Sequence, residues 1–196
     1  FEHGIIDIQS IRKDSQFNFF CFRYFHSEIQ NHDPVFYNNM IQKNDHLEQT
    51  MKLLSHDINT HNQLRREGQS EHLICKLIKE DDLEGFQQLV TSQNYDIKRH
   101  IPYSVYETID FVNTHTNMPT LIEYAAFHGS VNVFKYLLMT LQSKQIMLPV
   151  SLPVYAAAGG NYDIIHLVEG CINTLDNNPD DDLDDNDDFS FYNIYV

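Results

Sequence analysis

One segment of this chain occurs twice, and that repetition limits the fold more than any other feature. The two copies begin at Thr120 and Ser151, 31 residues apart, and each contains a Tyr-Ala-Ala run with a glycine three positions after its second alanine. A fixed period of this length is typical of arrays in which one small unit stacks on the next. Because a single unit would leave an apolar face uncovered, the repeat predicts a stack.

Each copy has the pattern of two short amphipathic helices separated by a tight break. Gly129 and Gly160 are predicted to supply the left-handed backbone that ends the first helix. Ser130 and Asn161 follow them and are predicted to cap the second helix. The alanine pairs predict a close approach of neighbouring units, with large apolar residues of the second helix filling the remaining space.

A weaker third copy lies upstream, at residues 73–90. When it is aligned with the middle copy, Asp81 takes the position of Gly129. The offset between these copies is 48 residues instead of 31, so an insertion at residues 101–118 separates them. Within the insertion, Pro102 predicts the start of a short helix.

The middle copy resembles the ankyrin repeat pattern Thr-Pro-Leu-His-x-Ala-Ala-x-x-Gly-His-x-Glu-Val-Val-x-Leu-Leu. Eight residues agree with that pattern: Thr120, Ile122, Ala125, Ala126, Gly129, Val133, Leu137 and Leu138. Leu121, Glu123 and Ser130 depart from it. The Arg-Arg-Glu-Gly run at residues 65–68, the insertion and the middle copy together resemble the divergent ankyrin proteins that are expanded in parabasalid protists.

The resemblance implies an all-α ankyrin-repeat solenoid with a helical leader and an acidic tail. The expected divisions are a leader or N-terminal cap at 1–64, repeats within 65–172 at about 72–100, 119–148 and 150–172, the insertion at 101–118, and a tail with an apolar end at 173–196. A solenoid needs such a cap because its first unit has an uncovered apolar edge.

The leader has two helix signals of its own. The aromatic-rich stretch Phe17–Phe25 is apolar nearly all round, which predicts a buried helix, with an intermolecular contact as the alternative. Pro34 directly after Asp33 is a helix start, and a further helix is expected from Asp45 to Ile58.

The negative charge of the chain is concentrated at one end. The net charge is −15, and residues 171–196 hold eight aspartates with no lysine or arginine. Nucleic acid is not an expected partner, because phosphate binding needs a basic face. The acidic run is expected to be disordered by itself and to contact a basic protein surface. Its candidate contact residues are Asp180, Asp181, Asp182, Asp184, Asp185, Asp187 and Asp188.

The chain carries no motif that indicates catalysis, a metal or a cofactor. Its histidines have no His-Glu-x-x-His spacing, and it has no nucleophile signature. Cys21, Cys75 and Cys171 lie far apart, which favours reduced, inert thiols and therefore a cytoplasmic protein. The longest apolar stretch is too short to span a membrane. No enzyme activity and no small-molecule substrate are expected.

The expected function is therefore non-catalytic binding of a partner protein. In ankyrin arrays the partner meets the concave face, which the resemblance assigns to Lys79, Glu80, Met118, Pro119, Phe127, His128, Val150, Ala158 and Gly159. Phe127 is the sharpest candidate, because aromatic residues dominate binding energy, and the alternative for it is burial under the insertion. The alternative function is a structural subunit of a cytoskeletal or other large assembly, with the acidic tail on a basic neighbour.

Overall fold

The protein is all-α throughout the part that the structure describes. The computed structural model describes residues 17–43, 58–113 and 118–176, with side chains from residue 21 up to residue 172. These residues form ten α-helices and one 3-10 helix, with no strand beyond an isolated bridge between His100 and Thr120. The expected all-α class is confirmed.

Four helices precede the repeated region and six lie within it. They are α1 Phe17–Tyr24, α2 His26–His32, α3 Pro34–Gln42, α4 Ile58–Glu67, α5 Leu73–Lys79, α6 Leu83–Ser92, α7 Leu121–His128, α8 Val131–Ser143, α9 Leu152–Gly159 and α10 Tyr162–Asp176. The 3-10 helix, Asp110–Val112, lies between α6 and α7. The last six helices form three pairs: α5 with α6, α7 with α8, and α9 with α10. The first helix of each pair packs against the first helix of the next pair, and the second helices pack against one another in the same order.

Each pair is divided by a residue in the left-handed backbone conformation. The φ angles are 71° for Gly129 and 69° for Gly160, which confirms the predicted helix breaks. Asp81 has a φ of 51° at the equivalent position of the first pair. A residue just past a helix end satisfies the last carbonyls in this conformation. The three pairs therefore share one backbone turn.

The helix caps follow the prediction in the third pair but not in the second. Asn161 Oδ1 accepts a hydrogen bond from the Ile164 backbone N–H at 3.2 Å, as predicted. The predicted Ser130 cap is wrong, because the Ser130 hydroxyl instead donates to the Ile78 carbonyl at 2.5 Å. Asp81 caps α8 in its place and so connects the first pair to the second.

Small residues let the second and third pairs approach closely. Ala125 and Ala126 are fully buried. A Cβ atom added to Gly159 would lie 2.5 Å from the carbonyl oxygens of Ala126 and Phe127. A side chain at this position would therefore force α7 and α9 apart.

The inserted segment is not helical at residues 101–107, so the short helix expected from Pro102 is wrong. The side chain of Asn113 holds the backbone instead. Its Nδ2 donates to the carbonyl oxygens of Ser104 at 2.7 Å and Glu107 at 2.8 Å, and its Oδ1 accepts from the Ser104 N–H. These side-chain bonds replace the backbone ladder that a helix would use.

The leader helices α1 to α3 have a small core of their own. Phe22 and Ile29 are fully buried, and Phe22 stacks on Tyr37 with ring centroids 5.3 Å apart. The predicted aromatic helix is confirmed as α1. The predicted start of α3 is also confirmed, since Asp33 Oδ1 accepts from the Phe36 N–H at 2.9 Å. The helix expected from Asp45 lies almost wholly outside the described residues.

The leader contacts the rest of the protein through the inserted segment. His61 on α4 lies with its Nδ1 2.8 Å from the hydroxyl of Tyr106, and its ring contacts His26 on α2. Arg65, one turn further along α4, forms a salt bridge of 2.7 Å with Glu28. The segment that interrupts the repeats thus connects the leader helices to the stack.

Candidate binding surface

The nine residues that the sequence analysis assigned to a partner differ widely in exposure. Three of them are exposed: Glu80, Val150 and Ala158. The other six are half-buried or buried: Lys79, Met118, Pro119, Phe127, His128 and Gly159. Contact with a partner stays a prediction for all nine, but the side of the stack where the first helices end is partly covered by the protein itself.

Lys79, the last residue of α5, is bound by the inserted segment. Its Nζ lies 2.7 Å from Glu107 Oε2, and the two side chains are 14% and 2% exposed. The Tyr124 hydroxyl donates to the same oxygen at 3.1 Å. Burial and nearby acidic groups raise the pKa of Tyr124, so that hydroxyl keeps its proton. The Lys79 ammonium is therefore paired inside the protein.

Phe127 contacts the inserted segment as well. Its ring centroid lies 5.4 Å from that of Phe111, which in turn lies 4.9 Å from Tyr155. Phe127 is half-buried by these contacts, in agreement with the alternative that the insertion covers it. Phe111 is itself 42% exposed. The aromatic ring that solvent reaches at this place is mainly that of Phe111.

His128 faces the interior rather than solvent. Its ring packs edge-on against Tyr124, with centroids 4.4 Å apart. Burial is the main cause that lowers the pKa of His128 to about 4, and the nearby Lys79 ammonium lowers it further. The imidazole is therefore neutral at neutral pH, and this side chain offers no positive charge to a partner.

Three more of the assigned residues have structural contacts. Gly159 meets the backbone of α7, and Met118 packs against the main hydrophobic core. Pro119 is buried, and its carbonyl oxygen accepts from the Ile101 N–H at 2.8 Å. These contacts position the inserted segment and the third pair. They give Gly159, Met118 and Pro119 a structural role that does not require a partner.

An exposed apolar patch remains on this side of the stack. We call Phe111, Phe127 and Ala158 the aromatic patch; the ring of the buried Tyr155 contacts that of Phe111. Ala158 is exposed and lies one helical turn after Tyr155. Phe111 is not among the residues predicted from the sequence, because the insertion has no repeat register. One signal in the sequence could have indicated Phe111: it is an aromatic residue in a connecting segment that interrupts the repeat. Connecting segments often carry functional residues.

Of the described cysteines, Cys75 is a poor candidate for a nucleophile. Cys75 is fully buried, and burial raises the pKa of its thiol to about 11. Because the thiolate is the reactive form, this thiol is inert at neutral pH. Cys21 and Cys171 are half-buried. Within the described ranges, no group of three histidine, cysteine or acidic side chains is placed to hold a metal ion.

A shallow cleft of about 360 Å³ lies in the leader, lined by Tyr24, Glu28, Asn62, Arg65 and Arg66. The guanidinium of Arg65 lies 4.7 Å from the Tyr24 ring centre and is paired with Glu28. Small-molecule sites are typically enclosed and mostly apolar. This open, polar cleft has neither property.

Two expectations concern residues or properties away from the patch. The acidic tail residues 180–188 lie outside the described residues, so their contact with a basic surface stays a prediction. None of the helices in the described ranges combines the length and apolar character needed to cross a membrane.

Comparison with known proteins returned no relative: the chain matches no family model, no curated protein and no solved structure. The resemblance to ankyrin repeats therefore stays a prediction from the sequence. The three helix pairs and the aromatic patch are the features on which a proposal of function can rest.

Proposed function

We propose that this chain is a non-catalytic protein–protein interaction module, built as an ankyrin-type solenoid. The observation that carries the proposal is the aromatic patch, which lies on the side of the stack where the first helices end. Stacked helix pairs provide extended surfaces of this kind for partners. The partner would be a protein that offers an apolar pocket to Phe111.

The helix pairs support the ankyrin-type reading. The left-handed residues Asp81, Gly129 and Gly160 recur at equivalent positions of the three pairs. Equivalent helices of successive pairs pack side by side. In a regular stack of this kind the framework residues are the same from unit to unit, whereas the exposed residues differ. We therefore expect the residues that determine which partner binds to lie at positions where the three pairs differ.

The patch has the properties of a binding hot spot. Phe111 is 42% exposed, and its ring is held by Phe127 and Tyr155. A ring that is already ordered loses little conformational entropy when a partner covers it. Aromatic residues in such positions often account for 2 kcal/mol or more of binding energy, roughly a thirtyfold change in affinity.

The test is capture of partners by the intact chain and by Phe111→Ser. The immobilised proteins are exposed to an extract of the source cells, and bound proteins are quantified by mass spectrometry. Met139→Ser is the matched control, because Met139 is 70% exposed on α8. We expect at least one captured protein to fall about tenfold or more with Phe111→Ser and to stay unchanged with Met139→Ser.

Two results would argue against this function. If Phe111→Ser and Met139→Ser capture the same proteins in the same amounts, the aromatic patch is not the contact surface. Recovery of the chain in an insoluble assembly that only high salt releases would favour the structural-subunit alternative, because salt screens the acidic run.

A further inference from the structure

The third helix pair exposes a face that the second pair buries. Four residues of the second pair are at most 3% exposed: Glu123, Ala126, Phe134 and Leu141. The residues 31 positions later are Val154, Ala157, Ile165 and Ile172. Val154 and Ile172 are 44% and 41% exposed, Ala157 is exposed and Ile165 is half-buried. We call these last four residues the open face.

The open face has residues on both helices of the pair. Val154 and Ala157 are three residues apart on α9, and Ile165 and Ile172 are seven residues apart on α10, so each pair of residues lies on one side of its helix. Glu169 lies between the two isoleucines and is bound to His166 on the same helix. The terminal unit of a stack normally presents a polar outer side. This unit presents a mainly apolar one.

We infer that residues 189–196 of the same chain dock on the open face and cap the stack. That segment reads Phe-Ser-Phe-Tyr-Asn-Ile-Tyr-Val, and six of its eight residues are apolar or aromatic. Burial of such side chains against Val154, Ile172 and the half-buried Ile165 removes apolar surface of both parts from water. The inference does not depend on the proposed partner.

The connection between helix and segment is long enough for this contact. Residues 177–188 follow the end of α10 and would span roughly 40 Å when extended. The 15 residues of α10 cover only about 22 Å. The extended length of the connection thus exceeds the length of the helix along which the open face lies. The segment can therefore reach any point of the open face.

The tether also favours this segment over a second copy of the protein. Tethering through a connection of about 12 residues gives an effective concentration in the millimolar range. A second copy at micromolar concentration would have to bind far more tightly to compete. The intramolecular contact therefore forms at protein concentrations where two copies would stay apart.

Hydrogen–deuterium exchange of the full chain tests the inference. Wild type is compared with Phe191→Ser/Ile194→Ser, and Ser190→Ala/Asn193→Ala is the matched control in the same segment. We expect the amides of residues 152–172 to exchange about tenfold faster in the apolar double variant and at the wild-type rate in the control. Ile172→Ser should in turn speed exchange of the 189–196 amides.

Two outcomes would overturn the inference. One is equal exchange of residues 152–172 in wild type and in Phe191→Ser/Ile194→Ser. The other is protection that rises with protein concentration together with a dimer in sedimentation, since a second copy would then cover the open face. Neither measurement involves a partner, so failure here leaves the proposed function untouched.

Discussion

Asp81 adopts the left-handed backbone conformation that glycine occupies in the two later pairs, with a φ of 51°. That conformation is unfavourable for a residue with a Cβ atom. The carboxylate offsets the cost by accepting the backbone N–H groups of Asn132 and Val133 at 3.0 and 2.9 Å. One residue therefore ends α5 and caps the second helix of the next pair.

Asp81→Ala should lower the free energy of unfolding by about 2 kcal/mol. About half of this is the lost cap, and the rest is the cost of a left-handed alanine. Asp81→Asn keeps one accepting oxygen and tolerates the backbone, so it should lose less than half as much. Urea unfolding followed by circular dichroism measures both. Equal stability of Asp81→Ala and wild type would show that the cap contributes nothing.

At the residue scale the sequence predicted the backbone but not the partners. Alignment of the copies placed Asp81 on Gly129, which is the correct turn. The partner of its carboxylate, Asn132, is 51 residues away, so no local pattern indicates the bond. The same applies to Ser130, whose hydroxyl donates to Ile78 in another pair. Caps within a helix are predictable, whereas caps between units depend on the stack.

At the scale of helices, α2 and α4 meet through two histidine rings. The rings of His26 and His61 lie 4.4 Å apart, and both residues are buried. Burial, with the neighbouring His26 and Arg65, lowers the pKa of His61 to about 4, and burial also lowers the pKa of His26. The packed arrangement of α2 and α4 therefore favours the uncharged form of both histidines, and protonation of either ring opposes it.

Acid should weaken this helix contact. The folded pKa of His61 is about 4 and its usual value is 6.5, so between these pH values the unfolded chain binds more protons. Stability therefore falls as the pH is lowered through this window, by at most about 1.4 kcal/mol per pH unit from this residue. His61→Phe should make the dependence of unfolding free energy on pH shallower, as measured by urea unfolding at several pH values.

Tyr106→Phe is the control for that experiment. It removes the 2.8 Å contact with His61 but keeps the titrating ring. We expect a loss of about 1 kcal/mol at all pH values with the wild-type slope. If His61→Phe keeps the wild-type slope as well, the ring contact is not the acid-sensitive element.

The path of the inserted segment is the part of the fold that sequence reasoning did not reach. Pro102 is a valid local signal for a helix start, but the side chains of Asn113 and Ser104 bind the backbone groups of Ser104, Glu107 and Tyr106 that a helix would use. Helix pairs are encoded by short-range periodicity, so they were predictable. The inserted segment is held in place by contacts between residues far apart in the sequence, such as Tyr106 with His61 and Glu107 with Lys79. Because these contacts were not predictable, the exposed position of Phe111 was not predictable either.

At the scale of the whole molecule, the inserted segment joins the leader to the stack. Tyr106 is 2% exposed and contacts His61 of the leader. The next residue, Glu107, pairs with Lys79 and accepts from Tyr124 in the first two helix pairs. Two adjacent side chains thus point to the two parts of the protein. Loss of either contact should affect both parts.

Removal of Glu107 tests this connection. Glu107→Ala leaves both the Lys79 ammonium and the Tyr124 hydroxyl buried without their partner, which should cost at least about 3 kcal/mol in the free energy of unfolding and open residues 101–113 to limited proteolysis. Lys79→Met/Glu107→Leu removes both charges at similar volume. It should therefore be closer to wild type than Glu107→Ala and lose only about 1–3 kcal/mol, which the unmatched Tyr124 hydroxyl costs in both variants. Urea unfolding and protease digestion of the two variants give both quantities. A double variant less stable than Glu107→Ala would mean that the paired charges themselves, rather than the volume they fill, hold the segment on the stack.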